Sequence, residues 1–600
     1  MAAPATGARR APRLHRALFV GALTTALCWG QTPPAEDVRN RETPHTDTRF
    51  QPRVYKTLAE WEARAAALRK QILSAAGLLP MPEKTPLRPQ VFGRIAYPDY
   101  SIEKVLLETM PGYYLGGNLY RPVGREGRRP AILTPHGHWT YGRIENVPLG
   151  SIPARAINMA RQGYVVFAYD MVGYNDTVQT PHVFGGPREQ LWAFGPLGLQ
   201  LWNSIRAADF LESLPDVDPA RLAMTGASGG GTQTFLLTAI DPRIQAAAPV
   251  NMVSAIMQGG SPCENAPNLR IGTYNVEIAA LAAPRPLLMV SATGDWTRNT
   301  PREEFPAVQA IYQLYGKAAE VETQQVDAPH NYNRESREHV YKFFARKVLG
   351  ASDASGYEEK GYRVEKLQDM LALHGRSLPP GALTYQQIVA QWIAAAAWQT
   401  RTTTDAAQLE ERLRVAIGAE WPTSVVHSQQ GEAVVLGREG VGDRVPGLWF
   451  PGKGEALLAV HPDGASAARN LDRVKEWRAA GRPVLLIDAF QTGSAVAPRN
   501  RDTRYFLTFN RSDDANRAQD IVTAMAWLVQ QGHQKPRLTG TGRAAVWSTF
   551  AAAVAGRPVT LDADLSGFQG EDQDFVEQFF VPGIQRAGGL IGARRVLAAR

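Results

Sequence analysis

This 600-residue chain predicts an α/β architecture of mostly parallel sheets covered by helices, on three observations. Short, fully apolar runs alternate with stretches of helical apolar spacing. A glycine-rich turn, Gly226-Ala227-Ser228-Gly229-Gly230, joins one such run to one such helix. The same order of runs, turns and helices then starts again near residue 430, so two sheet domains are expected rather than one.

Composition narrows the class before any motif does. Hydrophobic residues at 44% and charged residues at 20% describe an ordinary globular chain, not a disordered or fibrous one. Residues 1–30 read as an export signal: basic up to Arg16, apolar from Ala17 to Trp29, with Cys28 and Gly30 as the small residues before cleavage. The protein is therefore expected in the periplasm or outside a bacterial cell. That apolar stretch is short for a membrane span, and no later segment approaches ~20 uninterrupted apolar residues, so stable membrane insertion is not expected. Discounting Arg9, Arg10, Arg13 and Arg16 with the signal lowers the formal charge from +8 to +4. No Lys/Arg cluster with interleaved aromatics appears, which argues against nucleic-acid binding. Cys263 is the one cysteine left after such processing, so no intrachain disulfide is available.

Along the chain, polar residues 31–50 read as a flexible leader. A helix over Ala59–Ala76 follows, with Trp61, Ala65, Leu68, Ile72 and Ala75 on one stripe. Residues 51–350 hold the first domain. Its strand candidates are Lys104–Met110, Tyr114–Tyr120, Ala131–Thr134, Tyr164–Tyr169, Arg221–Thr225, Ala246–Val250, Leu287–Ala292 and Val321–Val326, with helices at Leu199–Leu214 and Thr232–Ile240. Residues 351–425 form a helical linking region broken at Pro379-Pro380-Gly381. Residues 426–600 repeat the grammar. Ala456–Val460 leads into His461-Pro462-Asp463-Gly464 as Ala131–Pro135 leads into His136-Gly137-His138, and 58 residues separate Asp170 from Ser228 as 54 separate Asp488 from Gly542.

The chemistry centres on Ser228. A G-x-S-x-G turn between strand and helix is the nucleophile elbow of the α/β-hydrolase fold, a strained turn that lifts the serine hydroxyl clear of the sheet. A serine nucleophile needs a base and the base an orienting acid, which in this fold follow in the order acid, then histidine. Asp295, in Gly294-Asp295-Trp296, and His330, in Pro329-His330-Asn331, each follow an apolar run and meet that order. His339 falls within a helix and reads as a solvated residue. Glu264, in a loop after Ala246–Val250, is the alternative acid. Oxyanion donors are expected from the Gly229 N–H and from the His138 N–H in the loop after Ala131–Thr134. His136 and His138 lack a third ligand at suitable spacing, so no metal and no cofactor is expected. Asp170 reads as a structural hydrogen-bonding residue. The second cycle has Gly542 at the elbow position and no histidine after His533, so it is expected to be a truncated, non-catalytic hydrolase-like domain.

With those residues in place, 55–350 resembles secreted bacterial α/β hydrolases of the acetylxylan esterase-like group, related to dienelactone hydrolases. The stretches that carry the resemblance are His136-Gly137-His138-Trp139, Asp170-Met171-Val172-Gly173-Tyr174, Gly226–Gly231, Cys263-Glu264-Asn265, Gly294-Asp295-Trp296-Thr297 and His330-Asn331-Tyr332. The R-G-Q and G-x-S-Q-G motifs of better-characterised acetylxylan esterases are not present, and Ala283-Pro284-Arg285-Pro286-Leu287 also resembles glucuronoyl esterases. The resemblance implies a serine carboxylic-ester hydrolase acting through an acyl-enzyme on a polysaccharide or small ester. A peptidase or amidase, a glucuronoyl-type esterase and a non-enzymatic carbohydrate-binding scaffold are the other readings.

Overall fold

The computed structural model describes residues 32–600; the expected signal peptide, 1–30, lies outside the described residues. Helix α1 (Leu58–Ala75) starts at Thr57, whose hydroxyl accepts from the Glu60 N–H, and buries Trp61, Ala65, Leu68 and Ile72 along one stripe. Strands β1 (Gln90–Ala96), β2 (Tyr100–Met110) and β3 (Tyr113–Pro122) then form an antiparallel ribbon. β1 is half-exposed along its length, so it carries no apolar run by which the sequence could have marked it.

The strands that follow are parallel and joined by helices. They are β4 (Arg129–Leu133), α2 (Ile152–Gln162), β5 (Val165–Tyr169), α3 (Pro196–Ser213), β6 (Val217–Ala227), α4 (Gly229–Ile240), β7 (Ile244–Val250), β8 (Leu287–Gly294), α5 (Glu304–Leu314), β9 (Val321–Pro329) and α6 (Arg334–Phe344). The nine-stranded sheet runs in the order β1-β2-β3-β5-β4-β6-β7-β8-β9, with β3 antiparallel to β5 and every later pairing parallel. Every residue of β5 is buried, as a strand covered by helices on both faces requires. Because β4, β5, β6, β8 and β9 point the same way, the segments around His136, Asp170, Ser228, Asp295 and His330 all emerge at one edge of the sheet. In open parallel sheets ligands bind outside that carboxyl edge.

Helices α7 (Tyr385–Thr402) and α8 (Ala406–Ile417) lead into a second sheet. Its elements are β10 (Val425–Gln430), β11 (Ala433–Arg438), β12 (Val445–Phe450), β13 (Leu457–Val460), β14 (Val484–Ile487), α9 (Asp513–Gln530), β15 (Arg537–Gly540), α10 (Arg543–Val554), β16 (Thr560–Ala563) and α11 (Gly589–Ala598). The order β10-β11-β12-β14-β13-β15-β16 repeats the first sheet strand for strand as far as β7. Among the described residues nothing corresponds to β8 and β9, the two strands whose ends carry Asp295 and His330.

The two sheets share one apolar core. Trp192 and Phe194 of the first domain, Ile388 and Trp392 of α7, and Phe579 and Ile584 near the C-terminus belong to a single buried cluster. Arg586, 3% exposed, bridges the halves by donating to the carbonyls of Gly77 and Pro80 and to the Gln399 side-chain oxygen. Residues 31–50, expected as a flexible leader, are corrected by the structure: the segment around residues 37–39 packs on the second domain, and residues 46–50 bond to Ala255, Gln258, Gly259 and Glu303 of the first. Val38 N–H donates to Gly442 O, Asp37 accepts from the Arg444 N–H, and Arg39 pairs with the buried Asp520 at 2.6 Å. A polar leader hid this, because its anchoring partners lie over 200 residues away in the first domain and over 400 in the second.

Candidate active site

β6 ends in the Gly226–Gly230 turn, and Ser228 there takes φ 56° and ψ −124° before α4 begins. A non-glycine residue in that region is strained by ~1–3 kcal/mol. Packing leaves no room to relax it. A Cβ on Gly226 would lie 2.6 Å from the Gly230 carbonyl oxygen, and one on Gly230 would lie 2.6 Å from that of Pro135. The turn is thus wedged between its own helix and the loop after β4, with Ser228 half-buried and reachable.

His330 follows β9, and its Nδ1 lies 2.8 Å from Asp295 Oδ2. Asp295 is held in turn: its Oδ1 accepts from the Thr297 N–H at 2.7 Å and from the Thr297 hydroxyl at 2.5 Å. Trp296 covers one face of the imidazole at 4.4 Å between ring centres. An Nδ1–H donated to the carboxylate leaves the Nε2 lone pair free to take a proton. The histidine loop is also tied to the elbow strand, since the Tyr332 phenol and the Thr225 hydroxyl are 2.7 Å apart. Among the described residues no hydrogen bond joins Ser228 Oγ to His330; such bonds are often long before substrate binds.

Glu264 is placed elsewhere. Its Oε2 accepts from the Gly260 and Ser261 N–H groups, while Oε1 faces His138 Nδ1 at 3.7 Å, not His330. Burial pushes its carboxyl above the usual range. The predicted oxyanion donors lie close together. α4 opens at Gly229, where first-turn N–H groups have no acceptor within the helix. His138 sits at the centre of a turn in which Trp139 N–H donates to Gly137 O, and a Cβ on Gly137 would lie 3.1 Å from Ser228 Cβ.

His136 shapes that loop. Met171 N–H donates to its Nε2 at 2.9 Å, so Nδ1 carries the proton and donates to Gly137 O. Complete burial lowers its pKa to about 3. Asp170 takes the structural role expected of it: it is fully buried, pairs with Arg143 and accepts from Asn175 and from the Asp176 N–H.

The sequence missed a second cluster beside the elbow. His138 Nε2 lies 3.2 Å from His182 Nε2 and 3.1 Å from Cys263 Sγ, and the three atoms lie within 4.8 Å of one another. The reading of no metal rested on spacing along the chain, which offered no third ligand; in space the partners come from 44 and 125 residues away. It also missed that the second domain reaches this edge. Arg504 and the Tyr505 hydroxyl donate to Gly260 O, and Asn268 and Arg270 N–H groups donate to the carbonyls of Leu507 and Thr508. A cavity of about 770 Å³ lies between the domains there, lined by Phe184, Phe194, Pro262, Asn265, Tyr505 and Arg517 among others.

No family model matches the chain. It is 28% identical over 282 residues to "Putative hydrolase YtaP" of Bacillus subtilis (strain 168), across 42% of this chain and 89% of that protein. Among solved structures it is similar to Methylesterase BT1017, at 31% identity, over 56% of this chain and 75% of that one, with a TM-score of 0.49. A glucuronoyl esterase from Solibacter usitatus matches at 16% identity over 50% of this chain and 98% of that one, with a TM-score of 0.38. By its sheet order, its elbow and that 31% identity, the chain belongs to the α/β hydrolases of the esterase type.

Proposed function

We propose that the first domain is a serine carboxylic-ester hydrolase acting through an acyl-enzyme, with an esterified carbohydrate as substrate. The observation that carries this is Ser228 at a left-handed elbow, downstream of which a buried aspartate orients a half-open histidine in the chain order the fold uses. Ser228 Oγ attacks the ester carbonyl while His330 Nε2 takes its proton. The Gly229 and His138 N–H groups receive the oxyanion, and the alcohol leaves with the proton that His330 returns. Water then repeats the cycle on the acyl-enzyme. Asp295 holds the imidazole in the Nδ1–H tautomer, and Glu264 takes no part in that contact. No cofactor enters these steps.

The carbohydrate assignment rests on the resemblance drawn from the sequence and on the 31% identity to a methylesterase. No helix among the described residues is long and apolar enough to cross a membrane, and export through residues 1–30 belongs to the same proposal. Incubation with a panel of natural acetylated and methyl-esterified glycans, scored for acetate and methanol, tests it. Release of either acid or alcohol by the wild type, absent with Ser228→Ala, is the expected result. No release from any glycan ester, with turnover of a peptide or amide instead, would overturn it.

A further inference from the structure

We infer that His138, His182 and Cys263 form a binding site for one borderline-soft divalent ion, zinc in class, beside the Ser228 elbow. Two nitrogens and a sulfur converge there at 3.1–3.2 Å for the two contacts His138 makes. Ligand atoms on a tetrahedral zinc with ordinary Zn–N and Zn–S bonds stand about 3.3–3.6 Å apart, close to the two contacts His138 makes, and the third pair, His182 Nε2 and Cys263 Sγ, lies within 4.8 Å.

The His182 tautomer points the same way. His182 Nδ1 lies 2.7 Å from the Val172 carbonyl oxygen, which can only accept, so the proton is on Nδ1 and the Nε2 lone pair faces the cluster. His138 Nδ1 faces the Glu264 carboxylate, which is itself anchored by two backbone N–H groups. At 3.7 Å that contact is a charge contact and not a hydrogen bond, so His138 Nε2 meets the His182 lone pair either as an N–H donor or, with the proton on Nδ1, as a second lone pair. In that second tautomer the two lone pairs face each other at 3.2 Å, and a bound cation is what turns their repulsion into coordination. A carbonyl behind one histidine and a carboxylate behind the other is the arrangement that orients metal-bound imidazoles. Ser261 Oγ lies 3.2 Å from His182 Nε2 and 3.5 Å from Cys263 Sγ, an oxygen at the fourth side. Two nitrogens with one thiolate select zinc, cobalt or copper over calcium or magnesium.

The site adjoins the elbow. A Cβ on Gly229 would lie 2.8 Å from His138 Cε1, the ring atom between the two nitrogens. An ion at Nε2 therefore fixes the side chain of the residue whose N–H borders the ester carbonyl.

Chelator-stripped full-length protein titrated with Co²⁺ and, separately, Zn²⁺ tests the site. The expected result is one ion per chain, a thiolate-to-cobalt charge-transfer band in the near ultraviolet, and loss of that band in Cys263→Ser. His182→Ala should weaken Zn²⁺ binding at least tenfold, with circular dichroism to confirm the fold of both variants. Wild-type protein that binds cobalt without a thiolate band, or binds less than a fifth of an ion per chain, overturns the inference whatever the variants do. Equal zinc affinity in a His182→Ala/Cys263→Ser double variant does so as well. Ester turnover by the stripped wild type stands apart from all these outcomes and keeps the hydrolase proposal separately testable.

Discussion

Ser228 and Gly542 hold the same backbone conformation, φ 56°, ψ −124° and φ 51°, ψ −130°, each as the residue before the helix that follows its strand. The second domain has kept the elbow and dropped both the side chain and its strain. In the first domain a side chain endures that conformation, at a cost of ~1–3 kcal/mol. Strain retained in one copy and released in the other is what a working hydroxyl in the first alone would leave behind.

Replacing Ser228 by Gly should therefore stabilise the protein by about 1 kcal/mol while cutting ester turnover by roughly five to six orders of magnitude. Ser228→Ala should be as inactive without the gain in stability. Thermal melts and turnover of a chromogenic ester measure both quantities. A Ser228→Gly variant that melts below Ser228→Ala would refute the strain argument.

The two acids should separate cleanly. Asp295→Asn leaves the packing intact but presents His330 with the wrong partner, and turnover should fall on the order of 10³–10⁴-fold. Glu264→Gln, acting next to His138 and not His330, should cost less than tenfold in turnover of a small ester. Kinetics on both variants decide the matter; the reverse ranking would move the acid to Glu264.

The elbow turn, the parallel sheet and the positions of Asp295 and His330 at strand ends were readable because each is local: a five-residue turn, or a polar residue ending an apolar run. The second sheet was readable because its runs repeat the first. What the sequence concealed is contact between distant segments. His182 stands in a polar loop with no motif, and only the fold brings it to His138 and Cys263. Arg39 sits in a stretch that reads as leader until Asp520, buried within α9, is seen opposite it. Sequence put Asp295 ahead of Glu264 as the acid but could not show the 2.8 Å contact between Asp295 and His330, which depends on how the ends of two neighbouring strands meet.

Stability should carry the signature of His136. An unfolded histidine protonates near 6.5, whereas burial holds the folded ring neutral down to about 3. Between those values the unfolded state binds the extra proton, so this contribution is present above pH 6.5 and is lost as the pH falls toward 3. Relative to His136→Gln, which does not titrate, the wild type should lose up to ~1.4 kcal/mol per pH unit across that window. Denaturant melts of both proteins at pH 4, 5, 6 and 7 measure the difference. Parallel pH profiles would show that the folded ring titrates normally.

The second domain should prove indispensable to folding and selective in catalysis. Trp392 packs on Phe194 at 5.3 Å between ring centres and donates its indole N–H to the Trp192 carbonyl, within the core that Ile388 and Ile584 also share. Fully burying one large apolar side chain contributes ~1.5–3 kcal/mol, and a domain is stable by only 5–15 kcal/mol. Residues 31–375 expressed alone would uncover several such side chains and free the Gly77 and Pro80 carbonyls from Arg586. That fragment should aggregate or melt far below the full chain. A subtler change isolates the other role. Tyr505 keeps a left-handed φ of 59° in the loop that grips Gly260, at the border of the 770 Å³ cavity. Tyr505→Ala should leave nitrophenyl acetate turnover within about twofold, since Ser228, His330 and Asp295 are untouched, yet lower kcat/KM on a polymeric glycan ester about tenfold or more through lost contact area. Equal effects on the two substrates would place the loop outside substrate recognition, and a 31–375 fragment melting with the full chain would make the second domain an independent passenger.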